Sequence, residues 1–407
     1  MKFLLVSLLL IPVITSSDDH KPEESHEGAE GVKGNTEFAF DFFKHLTSMS
    51  SRCKDSPPKN IVLSPFSISS ALSMLLLGAQ SKTHQEILEG LSLNNTNLPE
   101  SEIHRAYSTL LHLLNEPKSS LQVDIGNALF VEQTLTLLKS FEDDLKNFYH
   151  AEIRKTNFND PQEAKKEVNE YVKDKTEGKI EELIEEFSAD TRLALINYVL
   201  FKGEWQYTFR ISFTSKFKVD KNTTVDVQMM LRTGRYNIFR DTELPCTVVE
   251  LPYKDDASMI IAMAEPGKIR EVERGMSSEA VQRWRTSWRE TLIDLYVPKF
   301  KITSKIDLVD ELSKVGIVTP FTDAADFSGI IPDFRLKVGS AVHQAVINVD
   351  EEGTVAAAAT GVRLLGMAFN MHHPLPIVID KPFVFFIIEQ KTDSLLFMGT
   401  VANPTEE

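Results

Sequence analysis

The sequence predicts an α+β fold, on three observations. Apolar residues recur at helical spacing mainly in the first half of the chain and at strand spacing mainly in the second. That is not the strand–helix alternation from which parallel α/β sheets are built. No linker, internal repeat or low-complexity break interrupts the chain after about residue 34. A length of 407 residues would allow two or three domains, but apolar strands continue without a boundary to the C-terminus.

The chain opens with Lys2, a nearly unbroken apolar run over 3–14 and the small residues Thr15, Ser16 and Ser17. The run is too short to span a bilayer and the small residues suit cleavage near Ser17, so residues 1–17 read as a secretory signal. No other run approaches eighteen apolar residues, and the mature protein is expected to be secreted, extracellular and soluble, with no membrane partner. Residues 18–34 are acidic, contain Gly and His and have no apolar periodicity, which predicts a disordered tail. His20 and His26 there lack a third ligand and read as solvated, so no metal and no cofactor is expected. Apolar spacing at i, i+3 and i+4 predicts helices at 36–49 (Phe38, Phe42, Phe43, Leu46), 67–79, 100–115, 137–148, 162–175 and 279–289. Strands are predicted at 121–131, 193–203, 213–219, 246–253, 258–264, 292–297, 335–349, 377–389 and 395–402.

Net charge is −15; removing the signal takes away Lys2 and no acid, which makes it −16. So acidic a chain is a poor partner for nucleic acid or anionic membranes. Asn94-Asn-Thr96 and Asn222-Thr-Thr224 are glycosylation sequons, in keeping with export. Cys53 and Cys246 could bond in a secreted protein, but a chain this long needs no staple. Cys53 lies in a polar loop and Cys246 opens a strand, so they read as separate thiols. Catalytic signatures are missing: there is no Gly-x-Ser-x-Gly elbow, no His-Glu-x-x-His, no Cys-x-x-Cys and no phosphate or dinucleotide loop. The runs Glu181-Glu-Leu-Ile-Glu-Glu186 and Asp255-Asp256 read as solvated faces. No enzyme is expected.

The most informative stretch is 351–369, Glu-Glu-Gly-Thr-Val-Ala-Ala-Ala-Ala-Thr-Gly-Val-Arg-Leu-Leu-Gly-Met-Ala-Phe. It follows one strand pattern and precedes another, yet it lacks caps, a hairpin turn and the polar chemistry of loops. Side chains alternate across a strand, so Thr354, Ala356, Ala358, Thr360, Val362 and Leu364 would share one face. None is charged. The one charge in the run after the opening Glu-Glu, Arg363, falls on the opposite face. Such a segment can join a sheet wherever a slot opens.

This stretch resembles a serpin reactive-centre loop. The likeness extends to Asp380-Lys-Pro-Phe383, Leu396-Phe-Met-Gly-Thr-Val-Ala-Asn-Pro404, Asn60-Ile-Val-Leu-Ser-Pro-Phe-Ser67, Leu77-Gly-Ala-Gln80, Asn197-Tyr198 and Phe201-Lys-Gly-Glu-Trp205. It covers roughly 36 to 404 and is nearest the secreted antitrypsin and antichymotrypsin branch. The resemblance implies one serpin domain over 35–407, a monomer of three β-sheets and about eight or nine helices with an exposed loop. It also implies a suicide-substrate inhibitor of serine proteases: the protease acylates the loop, the loop enters the central sheet, and the protease is carried off and distorted. About twelve inserted residues would gain one to two dozen hydrogen bonds, roughly 10–20 kcal/mol before ordering costs. A buried charge on the inserting face could cost several kcal/mol, which the hinge residues Glu351, Gly353, Thr354, Ala356 and Ala358 avoid once past Glu351.

Seventeen positions counted from the hinge Glu351 land on Met367, making Met367-Ala368 the expected bait bond, with Leu365 and Phe369 as alternatives. Met367 suits an apolar pocket of the chymotrypsin or elastase kind; Arg363 could attract a trypsin-like protease, but cleavage there shortens the insertable strand by four residues. By resemblance, Ser64, Ser67, Asn197 and His343 form a polar "shutter" under the gap where the loop enters. Trp205, Lys299 and Glu351 form a "breach" at its top, where Lys and Glu pair in relatives. Lys268, Arg270, Arg274, Arg283, Arg285 and Arg289 cluster around 279–289, where some relatives bind heparin, and Arg285 and Arg289 would share a helical face. Glu271, Glu273, Glu279 and Glu290 intervene and leave only +2, which weakens but does not remove Arg283, Arg285 and Arg289 as a candidate heparin site and a glycosaminoglycan as a candidate partner. The 100–115 helix carries only Arg105, and His372-His373 read as loop surface. One departure stands out: Val355 occupies a place where Glu is commoner in relatives. The alternative function is a non-inhibitory carrier of a small hydrophobic hormone, for which Trp284 and Trp288 offer aromatic surface but no motif; a storage or chaperone-like role is a third.

Overall fold

The computed structural model describes residues 24–49, 58–95, 99–115, 120–354 and 374–406. Among them are nine α-helices: α1 (Glu24–Met49), α2 (Pro65–Leu76), α3 (Ser81–Gly90), α4 (Glu100–Asn115), α5 (Lys139–Tyr149), α6 (Pro161–Lys175), α7 (Ile269–Gly275), α8 (Ser278–Thr286) and α9 (Leu308–Lys314). The first eight strands are β1 (Ile61–Leu63), β2 (Leu121–Glu132), β3 (Glu152–Thr156), β4 (Leu193–Glu204), β5 (Ile211–Lys218), β6 (Thr224–Asp241), β7 (Cys246–Pro252) and β8 (Ala257–Ala264). The rest are β9 (Arg289–Pro298), β10 (Phe300–Asp307), β11 (Ser340–Val349), β12 (Gly353–Thr354), β13 (Leu375–Val378), β14 (Phe383–Glu389) and β15 (Ser394–Val401). No helix among the described residues is long and apolar enough to cross a membrane.

α2 sits at the centre and every one of its residues is buried. Pro65 opens it, and the Ser64 side chain caps it by accepting from Ser67 N–H at 3.2 Å. Two of its buried serines donate back to the preceding turn, Ser69 to the Phe66 carbonyl and Ser70 to the Ser67 carbonyl. α1 contributes Phe38, Phe42, Phe43 and Leu46, all buried, with the Phe38 and Phe42 rings stacked at 5.5 Å.

A six-stranded sheet has the order β10–β11–β12–β4–β2–β3, with β11 and β4 also paired directly. One face packs on the main core; the other meets a smaller cluster in which Phe158, Val168 and Val172 of the α6 region contact Ile196, Tyr198, Val342 and Val346. The remaining nine strands form a second sheet, β1–β15–β14–β8–β7–β6–β9–β13, with β5 on β6. The three sheets expected by resemblance thus appear as two. The 18-residue β6 joins the last two of them: Thr224–Leu231 pairs with β5, Met229–Ile238 with β9, and Ile238–Asp241 with β7.

Several boundaries differ from the sequence reading. Helix α1 begins at Glu24, so the part of the expected disordered tail from there to Gly34 is helical, while 18–23 lies outside the described residues. Once the buried phenylalanines hold the helix, adding residues to its end is far easier than nucleating it. The strand expected over 377–389 is two, because Pro382 offers no N–H to the ladder. β11 starts at Ser340 and not 335, and α8 stops at Thr286. The short elements α3, α7, α9, β1, β3 and β10, and the long β6, were not expected.

Candidate functional site

The register of the six-stranded sheet builds the first centre. His343 on β11 pairs with Asn197 on β4, and Asn197 with Asn127 on β2, so three polar side chains lie in one row across three neighbouring strands. Beneath them runs the start of α2. Ser64 N–H donates to His343 Nε2 at 3.2 Å, which requires the proton on Nδ1, and Nδ1–H then donates to Asn197 Oδ1. Asn197 Nδ2 donates to Ser67 Oγ and to Asn127 Oδ1, each at 2.7 Å, and Asn127 Nδ2 reaches Ser70 Oγ at 3.1 Å. Burial alone drives the His343 imidazole down to about pH 3. The four expected residues are therefore brought together. Asn127 and Ser70 complete the network and were not singled out: one amide in an apolar strand carries no mark until its register is known.

Above this row the sheet parts. β11 and β4 pair directly in parallel from Ser340–Ala194 to Val346–Leu200. Higher up, Thr354 pairs antiparallel with both Val349 and Gly203, and Gly353 with Glu204. Gly353 and Thr354, the third and fourth residues of the 351–369 stretch, are thus already seated between the strands. Glycine is needed there, since a Cβ on residue 353 would lie 1.9 Å from the Gly203 carbonyl oxygen. Thr354 is fully buried and its Oγ1 meets the Tyr253 hydroxyl at 2.8 Å.

The hinge is clamped from both sides. The Trp205 ring stacks on Tyr253 at 4.4 Å, its Nε1–H donates to the Asp350 carbonyl at 3.0 Å and its N–H to the Glu352 carbonyl at 2.8 Å. Lys299 Nζ lies 2.5 Å from Glu351 Oε1, which also accepts from Ser212 Oγ at 2.5 Å. Burial pushes the Glu351 carboxyl up, but the hydrogen bonds from Lys299 and Ser212 outweigh it and hold the group below its ordinary value. Asp350 Oδ1 accepts from the N–H groups of Glu352 and Gly353, forming the turn that lets the chain reverse. Ser212 and Tyr253 escaped the sequence reading, because nothing local ties them to a hinge that folds onto them from far along the chain; Asp350, next to the hinge, was also not singled out.

The segment 355–373 lies outside the described residues, and with it Ala356, Ala358, Met367 and Ala368. Asn94 and Asn222 are exposed. Cys246 is a buried thiol pushed up to about 12, first by burial and then by Asp241; Cys53 is outside the described residues.

The basic cluster is largely neutralised. Arg283 pairs with Asp241 at 2.6 Å and Glu243 at 3.2 Å, Arg285 with Asp393 at 2.6 Å, and Lys268 with Glu271 at 2.5 Å. The helical face expected for Arg285 and Arg289 does not form, because Arg289 opens β9. Trp284 is buried, stacked on Phe386 and donating to Asp241, and is part of the core.

The family model described as Serpin (serine protease inhibitor) matches residues 33–404. The chain belongs to the serpin family. It is 46% identical over 373 residues to serine protease inhibitor A6 of Xenopus laevis, covering 91% of this chain and 83% of that one. It is 42% identical to serpin A3-6 of Bos taurus, covering 99% and 97%. Among solved structures it is similar to human thyroxine-binding globulin, with a TM-score of 0.86, 37% identity and coverage of 93% and 100%. These relatives place the serpin in the antitrypsin and antichymotrypsin branch, and the architecture above is the serpin fold.

Proposed function

We propose that this serpin is a secreted suicide-substrate inhibitor of chymotrypsin- or elastase-like serine proteases, cleaved at Met367-Ala368. The observation that carries the reading is the slot between β4 and β11, occupied at its top by Gly353 and Thr354. The residues that would follow them inward are the uncharged Ala356, Ala358, Thr360 and Val362. Below lies a single parallel ladder, which an incoming strand would replace by two antiparallel ones. Mixing the purified protein with chymotrypsin and with pancreatic elastase should give a covalent complex that survives boiling in SDS. Clean cleavage of the loop without that band, for both proteases, overturns inhibition.

One observation favours a second reading, transport of a small hydrophobic hormone. A cavity of about 540 Å³ between α1, α8 and the β14–β15 turn is lined by Phe40, Val281, Ile388 and Leu395 beside Gln282 and Arg285, a size and mixture that suit a small ligand. Thyroxine-binding globulin, a structural relative, is by its name such a carrier. Calorimetric titration with thyroxine and with cortisol separates the readings: micromolar binding of either supports transport, and its absence removes it.

A further inference from the structure

Helix α6 ends in a turn that gathers three charged side chains. Thr176 caps the helix, its Oγ1 donating to the Val172 carbonyl at 2.8 Å and accepting from Ile180 N–H at 3.1 Å. Glu177 and Gly178 follow with φ of 53° and 78°, the left-handed backbone that closes helices, and Gly178 N–H returns to the Lys173 carbonyl at 2.8 Å. Ile180 is buried in the smaller core cluster between α6 and the six-stranded sheet, which fixes the residue before it. Lys179 Nζ then lies 3.5 Å from Glu177 Oε2, and Lys202 Nζ, from β4, reaches the same oxygen at 3.4 Å. Two ammonium groups converge on one carboxylate oxygen. Their side chains are only 28% and 24% exposed, so water compensates neither fully, while Glu177 stands open to solvent.

Strand register makes the two lysines unequal. Lys202 pairs with Gln122 on β2, so Asp124, two residues along, lies on the same side of the sheet and supports the Lys202 charge in addition to Glu177. Lys179 has only its share of Glu177. Burial and the neighbouring Lys202 ammonium push the Lys179 amine below its ordinary value, whereas Lys139, Lys314 and Lys337, each facing carboxylates of its own, are held above theirs. We propose that Lys179 is a preferred site of covalent modification by the aldehyde of a reducing sugar. A partly desolvated lysine beside a second cation is the kind that forms Schiff bases with carbonyl compounds. The Lys179 lone pair forms the C–N bond to the aldehyde carbon as the carbonyl π pair takes up a proton, and expulsion of that oxygen as water leaves a protonated imine. Glu177, close to the same nitrogen, is placed to take the proton from sugar C2; the freed pair forms the C1–C2 double bond and the imine π pair moves onto nitrogen. A proton delivered to C1, with loss of the C2 hydroxyl proton, gives a stable ketoamine. The sequence is one dehydration followed by an isomerisation and needs no oxidant or reductant.

The test incubates the purified full-length protein with glucose at neutral pH to low total conversion and maps the sugar on each lysine by peptide mass spectrometry, with borohydride trapping of imines in a parallel sample. Lys179 should carry about fivefold more sugar than Lys166 and Lys173, which are exposed on α6. Lys202→Gln should bring Lys179 down to the level of those two, while Lys202→Arg, which keeps the cation, should leave it high; thermal midpoints check that each variant is folded. Glu177→Gln should leave the trapped imine at Lys179 and lower the ketoamine. Labelling that follows exposure alone, with Lys179 at or below Lys166 and Lys173, overturns the proposal, and this ranking in the wild type decides even if Lys202→Gln does not fold. Sugar found on Lys202 in place of Lys179 overturns the assignment of the nucleophile. Folded Gln and Arg variants that behave alike overturn the role of the second cation.

Discussion

His343 cannot take a second proton without breaking its surroundings. Its Nε2 faces the Ser64 N–H, so protonation would set donor against donor in a site with no water access. In the unfolded chain the imidazole titrates near 6.5, whereas in the fold it stays neutral down to about pH 3. Between those values the unfolded state binds the extra proton and the folded state does not. Stability is therefore intact above about pH 6.5 and lost progressively as pH falls toward 3. Thermal midpoints measured from pH 7 to 4 should fall for wild type, and more steeply than for His343→Gln, whose pH 7 midpoint should already be lower by the equivalent of about 1–3 kcal/mol for the lost buried hydrogen bonds. Parallel curves for the two proteins would remove His343 as the titrating group. At this scale the sequence marked Ser64, Ser67, Asn197 and His343 by resemblance to relatives. Their contacts with Asn127 and Ser70 depend on strand register across residues far apart in the chain, which local patterning does not encode.

The hinge is the element on which the proposed mechanism turns, and its two seated residues are its most sensitive point. Thr354 fits because its methyl and hydroxyl fill a small buried site against Tyr253. Thr354→Arg would put a guanidinium there without a carboxylate partner, costing several kcal/mol, and so eject β12 from the sheet. The variant should be cleaved by chymotrypsin or elastase without yielding SDS-stable complex, whereas Arg363→Glu, a charge change expected on the outward face, should preserve the complex; gel bands at equal time read both. If the two variants behave alike, the assignment of faces is wrong. The main elements were legible: helical spacing located α1, α2, α4, α5, α6 and α8, and alternation located β2, β4, β5, β7 and β8. β6 was not, since its eighteen residues change partners midway and the alternation of Val225, Val227 and Met229 with Asp226 and Gln228 loses its phase at Met229 and Met230, which are both buried. Likewise α8 was drawn too long because its apolar spacing runs into β9 without a proline or glycine to stop it.

Over the whole molecule, the proposed insertion would be favoured by replacing one ladder with two. β12 is antiparallel to both neighbours, so each further residue that follows it separates a parallel β4–β11 pairing and creates two antiparallel ones. Seven residues of β11 pair with β4 in the closed sheet. Exchanging that ladder for two gains roughly ten hydrogen bonds, on the order of 10 kcal/mol. The length of the inserted strand decides how far an attached protease travels, which gives the position of the bait bond a mechanical meaning. From Thr354 to Met367 are thirteen residues, roughly 40 Å at strand rise, enough to carry an acylated protease from one end of the sheet toward the other. Methionine at that bond brings a chemical signature: oxidation to the polar sulfoxide would make it a poor fit for an apolar pocket. Mild peroxide should slow inhibition of the preferred protease at least tenfold, and Met367→Leu should inhibit at a similar rate to wild type while resisting the oxidant. The C-terminal peptide released from the complex should begin at Ala368 by mass. A peptide beginning at Gly366 or Asn370 would move the bond to Leu365 or Phe369, and with it the distance over which the protease is drawn along the sheet.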